Sequence, residues 1–171
     1  MPVPEFVRAV VVRTDTIDPA GLDRFQTDPR FRGLCCPGVP GHLDELQERN
    51  LSLDADLASV AEIAREYPRL RIAIRPVGEI DPAAVEEAAA FPNVCCKVAG
   101  LFATLAPRNF VRHALHAFGP ERLMFGSDWP ASLPDHTWKE NLALFTQCIG
   151  AQSIEVREQL LGATAARFYA I

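Results

Sequence analysis

The run Phe125-Gly126-Ser127-Asp128-Trp129-Pro130 puts a carboxylate directly after an apolar stretch, Arg122–Phe125, and a small-residue step. A carboxylate at such a strand end either closes a turn with its side chain or, once partly desolvated, takes a proton from water. In RLMFGSD, side-chain alternation sets Leu123, Phe125 and Ser127 on one side and Met124, Gly126 and Asp128 on the other. Leu and Phe suit contact with covering helices, so Asp128 is predicted to face inward at the C-terminal mouth of the sheet, where α/β sites sit. The same alternation opposes Cys95, Lys97 and Ala99 to Val94, Cys96 and Val98. A lysine beneath a helix layer is costly, so Lys97 is also predicted to face inward. The two charges would then hold an anionic group between them or simply neutralise each other. Arg75 closes the run Arg69–Arg75 and is the other candidate cation for a tetrahedral oxyanion, its facing left open. His136 follows Asp135 in the loop after the Asp128 run, at the same end, and Trp129 either packs over the rim or walls a substrate pocket.

Other polar residues carry less signal. His113 and His116 lie three apart on a helical stretch and suit helix packing or solvent, and His42 stands after PGVPG before a helix. Cys36, Cys95 and Asp128 sketch a zinc site at one mouth, yet adjacent strand residues point apart and no C-x-x-C spacing occurs. Buried small hydrophobes are the better account of the thiols.

Six strand-like runs, at 6–13, 31–36, 51–54, 69–75, 93–100 and 122–127, are each followed by a helical stretch. Asp56 is read as the cap of the third helix, over 57–67, and Asp81-Pro82 as the start of the fourth. Two helices, near 135–149 and 153–168, close the chain. Near-continuous apolar strands with helical crossovers predict an α/β fold with a parallel sheet. Pattern alone leaves a doubly wound sheet and a (β/α) barrel both open.

The 171 residues, 49% hydrophobic and 23% charged, suit one globular domain over 1–171. A net charge of −5 argues against nucleic acid or an anionic membrane as partner. No stretch approaches the roughly 18 apolar residues of a membrane span. Five cysteines, an odd number with two adjacent pairs, suit a reducing cytoplasm.

GPERLMFGSDWP (119–130) resembles the last barrel strand of the amidohydrolase-related TIM-barrel hydrolases, a group that includes L-fuconolactonase-like and pyrone-dicarboxylate-lactonase-like enzymes. DPRFRGL, LSLDADL, YPRLRIAI, NVCCKVAGL and LLGATAARFY resemble further stretches of the family in order and spacing. The resemblance implies a partial (β/α)8 TIM barrel of about six parallel strands, the first two βα units missing from a fold of typically ~250 residues. It implies a hydrolase of lactones or related cyclic esters and amides acting on a small-molecule substrate, with Asp128 as the base that activates water; Lys97, Arg75, Trp129 and His136 remain this chain's own candidates for contact with the substrate. A divalent metal such as zinc would use Asp128, but most family ligands are absent. No His-x-His pair exists, Pro76 stands where the family has a histidine, and Cys35-Cys36 stand where it has an Arg-His pair. A six-stranded sheet has open edges, so a homo-oligomer, or a non-catalytic scaffold that self-associates, is the alternative expectation.

Overall fold

The computed structural model describes residues 7–75, 80–103, 106–128, 130–133 and 135–171. Its strands are β1 (Val10–Arg13), β2 (Phe31–Cys35), β3 (Ser52–Ala55), β4 (Arg71–Ile74), β5 (Val94–Val98) and β6 (Leu123–Phe125). Between them run α1 (Pro19–Phe25), α2 (Leu43–Glu48), α3 (Val60–Glu66), α4 (Pro82–Ala89) and α5 (Pro107–Phe118). After β6 come α6 (Trp138–Ile149), α7 (Ile154–Glu158) and α8 (Thr164–Tyr169), the last two joined through a π turn, Gln159–Ala163.

Local chemistry explains most helix boundaries. Asp18 accepts from the amides of Ala20 and Gly21, and Asp81 from that of Ala83, each ahead of a proline in the first turn. Thr137 and Glu140 form a reciprocal capping box on α6. Gly119 and Gly150, at φ 68° and 67°, end α5 and α6 in a conformation that costs glycine little. The expectation for Asp56 is corrected. Helix α3 begins at Val60 after Ser59, because the Asp56 carboxylate accepts instead from the amide of Gly38, 3.0 Å away across the sheet end.

Each strand pairs in parallel with its successor, giving the order β1-β2-β3-β4-β5-β6. Leu22, Leu46, Ile63, Val85, Val111 and Phe145, one from each of α1 to α6, belong to a single core with Leu34, Leu53, Ile72, Cys96 and Leu123 of the strands. The crossover helices therefore cover one face. A doubly wound sheet reverses its strand order and carries helices on both faces, so this sheet has the winding of consecutive (β/α)-barrel units. Among the described residues, the outer edges of β1 and β6 have no strand partner.

Among the described helices, α8 alone lies on the opposite face. Leu160, in the π turn, is buried in the main core, whereas Phe168 packs on Ala73 of β4 and Met124 of β6. Three bonds dock α8 at the N-terminal strand ends. Arg71 Nη1 donates to the Phe168 carbonyl (2.7 Å), Thr164 Oγ1 to that of Pro120 (2.8 Å) and Arg167 Nη2 to that of Glu121 (2.8 Å).

Strands β2 and β3 meet most closely at Gly33. A Cβ there would stand 2.1 Å from the Ser52 carbonyl oxygen and 2.3 Å from Ser52 Oγ. Ser52 is fully buried, and its hydroxyl donates to the Arg32 carbonyl at 3.0 Å.

Candidate active site

Register carries chemistry-bearing residues to the face that α8 shares. Cys35 pairs with Asp54, Asp54 with Ala73 and Ala73 with Cys95, in one row across β2 to β5. Two residues beyond Cys95, Lys97 lies on the same face and is in register with Met124 of β6. Arg75 follows the end of β4, and Asp128 lies three residues beyond β6.

Lys97 pairs with Asp54, not with Asp128. Its ammonium donates to Asp54 Oδ2, reaching across β4 on the side where β4 presents Ala73. The other oxygen, Oδ1, accepts from the Tyr169 hydroxyl of α8 at 3.3 Å. The Asp54 side chain is 8% exposed and that of Lys97 23%. Burial, and then the charge of Asp54, push the Tyr169 phenol far above its ordinary range, so at neutral pH it remains a donor.

Asp128 sits at φ 56°, in the left-handed region that Asp tolerates better than most residues. Its carbonyl accepts from the amide of Ser132 at 2.8 Å and closes the turn. Its carboxylate accepts from Arg75 Nη1 at 3.3 Å, with side-chain exposures of 20% and 40%. Gly126 explains the small step before it. A Cβ at Gly126 would press to 3.0 Å on Ala99 Cβ and 3.4 Å on Lys97 Cγ, so glycine leaves the lysine stem its path past β6.

The Cys35 thiol is raised by burial first and by the charge of Asp54 second, while Lys97, Arg75 and Arg13 pull it down. Three cations and one carboxylate thus act on one point of the mouth. Burial pushes Cys95 up to about 11. The adjacent cysteines point apart, as alternation predicts, and Cys36 does not join Cys95 and Asp128 at the mouth. Strand alternation turns Cys35 toward Asp54 and buries Cys36 in the helix-covered core, as it does Cys96. Each pair offers one thiol on the inner side, Cys35 and Cys95.

His136 stands at the same end of the sheet, its ring stacked on Phe102 (3.6 Å between centroids, 12° between planes) and its amide bonded to the Ser132 carbonyl at 2.9 Å. His113 lies between helices, with Nε2 3.2 Å from the Pro82 carbonyl and 3.7 Å from Glu86. Trp129 and Pro76 lie outside the described residues.

Two residues of the network escaped the sequence reading. Asp54 was within reach of it, since Leu53 of LSLD is core-facing and the alternation gives Ser52 and Asp54 the other side. Tyr169 lies just past a stretch that reads as an ordinary covering helix, and no local pattern shows that helix passing to the other face.

A singly wound parallel sheet with charged side chains gathered at the C-terminal strand ends is the frame on which (β/α)-barrel active sites are built. The chain belongs to the amidohydrolase family, whose model matches residues 26–171. It is 32% identical to the L-fucono-1,5-lactonase of Burkholderia ambifaria over 97% of this chain and 71% of that protein. It is 41% identical to the L-fucono-1,5-lactonase of Burkholderia multivorans over 52% of this chain and 34% of that protein. Among solved structures, an amidohydrolase from Burkholderia multivorans with bound zinc superposes with a TM-score of 0.80 at 26% identity, covering 96% of this chain and 74% of that one.

Zinc in that neighbour makes fit the relevant test. Among the described residues, no three or more His, Cys, Asp or Glu side chains come together as a metal site. Asp128, the one ligand the family pattern supplied, is turned to a guanidinium. The described donor set does not fit a metal.

Proposed function

We propose that the chain is a hydrolase of lactones or related cyclic esters and amides, with residues 1–171 forming one domain of barrel type. The observation that carries this reading is the Asp128 carboxylate, held by Arg75 at the C-terminal mouth, while its carbonyl takes the Ser132 amide that closes the turn. The lactonases among its relatives support the substrate class.

In this mechanism Asp128 accepts a proton from water as the water oxygen bonds to the ring carbonyl carbon. The carbonyl oxygen becomes an oxyanion, and Lys97 and Arg75 are assigned to stabilise it. Collapse re-forms the carbonyl and breaks the ring C–O or C–N bond. The leaving alkoxide or amide takes back the proton held by Asp128. Trp129 and His136 are assigned to the substrate wall.

With L-fucono-1,5-lactone in a pH-stat, Asp128→Asn is expected to lower kcat/KM by about a hundredfold, the lower range for a positioned general base. Equal rates in the two proteins would sink the reading. The open edges of β1 and β6 favour a second one, a scaffold that associates with its own copies. It predicts no turnover and a light-scattering mass of two chains or more, so a monomer at high concentration removes it.

A further inference from the structure

The unexplained feature of the mouth is the phenol on Asp54. Helix α8 contributes nothing to the covering layer, yet it places Tyr169 on the face that carries Lys97. Lys97 has a flexible four-carbon stem, and an ammonium on such a stem acts at a fixed point only if something holds it. Gly126 and Ala99 shape the path of the stem, and Asp54 Oδ2 takes its end. A carboxylate held through one oxygen still swings about its terminal bond. Tyr169 takes the second oxygen, and α8 is itself pinned to the strand ends by Arg71, Thr164 and Arg167.

We propose that Tyr169 is a positioning residue for Lys97, acting through Asp54, so that the C-terminal helix sets where the mouth presents its ammonium. That this ammonium meets a substrate oxyanion rests on the function proposed above. The positioning itself does not, and it is tested without substrate. Cys35, Cys95, Arg13, Arg75, Asp128 and His136 are the other titratable groups described around the mouth, and none of them is changed by the variants used.

The chain has two lysines, Lys97 and Lys139. Lys139 follows the exposed Trp138 on α6 and serves as internal reference. Under limited reductive methylation with formaldehyde, followed by peptide mass spectrometry, Lys97 is expected to react at least tenfold more slowly than Lys139. Tyr169→Phe keeps the ring and removes the hydroxyl, and should raise the Lys97 rate at least threefold with Lys139 unchanged. Asp54→Asn should raise it at least as much, and adding Tyr169→Phe to Asp54→Asn should then change nothing further. An unchanged Lys97 rate in Tyr169→Phe, or full additivity of the two variants, overturns the proposal. Loss of the fold in Tyr169→Phe alone, with Asp54→Asn folded, also overturns it, because the hydroxyl would then be holding the fold and not the lysine. Protection that responds as expected in a protein without lactonase turnover would leave the positioning intact and remove the function.

Discussion

Gly33→Ala is expected to destabilise the protein by more than about 4 kcal/mol, in the range reserved for changes the backbone cannot absorb. The group that a new methyl would meet is not a flexible side-chain end. It is the carbonyl oxygen of Ser52 at 2.1 Å, on the neighbouring strand. Rotamer changes relieve the contact with Ser52 Oγ but not that one, so β2 and β3 must part. Parting them strains the ladder that pairs Leu34 with Leu53 and Cys35 with Asp54, and exposes the bond from Ser52 Oγ to the Arg32 carbonyl. Against a typical stability of roughly 5–15 kcal/mol, such a loss leaves little or no folded protein. Thermal unfolding followed by circular dichroism checks this, with a fall of roughly 10 °C or more expected for a chain of this size. A midpoint within a couple of degrees of the parent, by the same scaling, would mean the strands are not as close as described.

Lys97→Met is expected to cost roughly 3 kcal/mol, the low end for breaking a buried ion pair from one side. Methionine nearly conserves the volume of the stem, so the cavity contribution is small. What remains is the Asp54 carboxylate, 8% exposed, with the Tyr169 hydroxyl as its hydrogen-bond partner. The partial exposure of Lys97, at 23%, keeps the figure at the low end, because water reaches that side of the pair. Adding Asp54→Asn to Lys97→Met removes the stranded charge, and the double variant should regain more than half of the loss. Urea titrations of the four proteins of this cycle give the coupling directly. If Lys97→Met costs less than about 1 kcal/mol, the pair behaves as a solvated surface contact, and the buried description is wrong.

The side of the sheet on which Lys97 lies was legible in the sequence because strand alternation has a period of two and its strand carries clear apolar residues on the other side; Asp128 lies three residues past β6 at φ 56°, beyond the reach of that alternation. Their partners were not legible. Lys97 meets a carboxylate 43 residues away on a strand that is not adjacent to its own, and Asp128 meets a guanidinium 53 residues away. Such pairings depend on strand order and on what the intervening strand presents, here Ala73. The sequential strand order itself needed the structure, since doubly wound and barrel folds share the same alternation of elements. Asp56 shows the limit of local rules at the scale of one helix, where an amide 18 residues away outcompeted the helix end for its carboxylate.

The route of the sheet and that of the mouth network differ in how far the chain must reach. Every strand bonds to the one that follows it, so the sheet can form by successive short closures, each adding one βα unit. The bond from Tyr169 to Asp54 spans 115 residues and that from Arg71 to the Phe168 carbonyl spans 97. Neither has anything to close upon until β3 and β4 are in place. The docking of α8 on the mouth is thus expected to come late in assembly, after the sheet that carries the Lys97–Asp54 and Arg75–Asp128 pairs. It is also the part most open to local release, because α8 can lift from its face without breaking a strand pair. In hydrogen exchange that order would be read as amides of α8 opening well before those of β3 to β5.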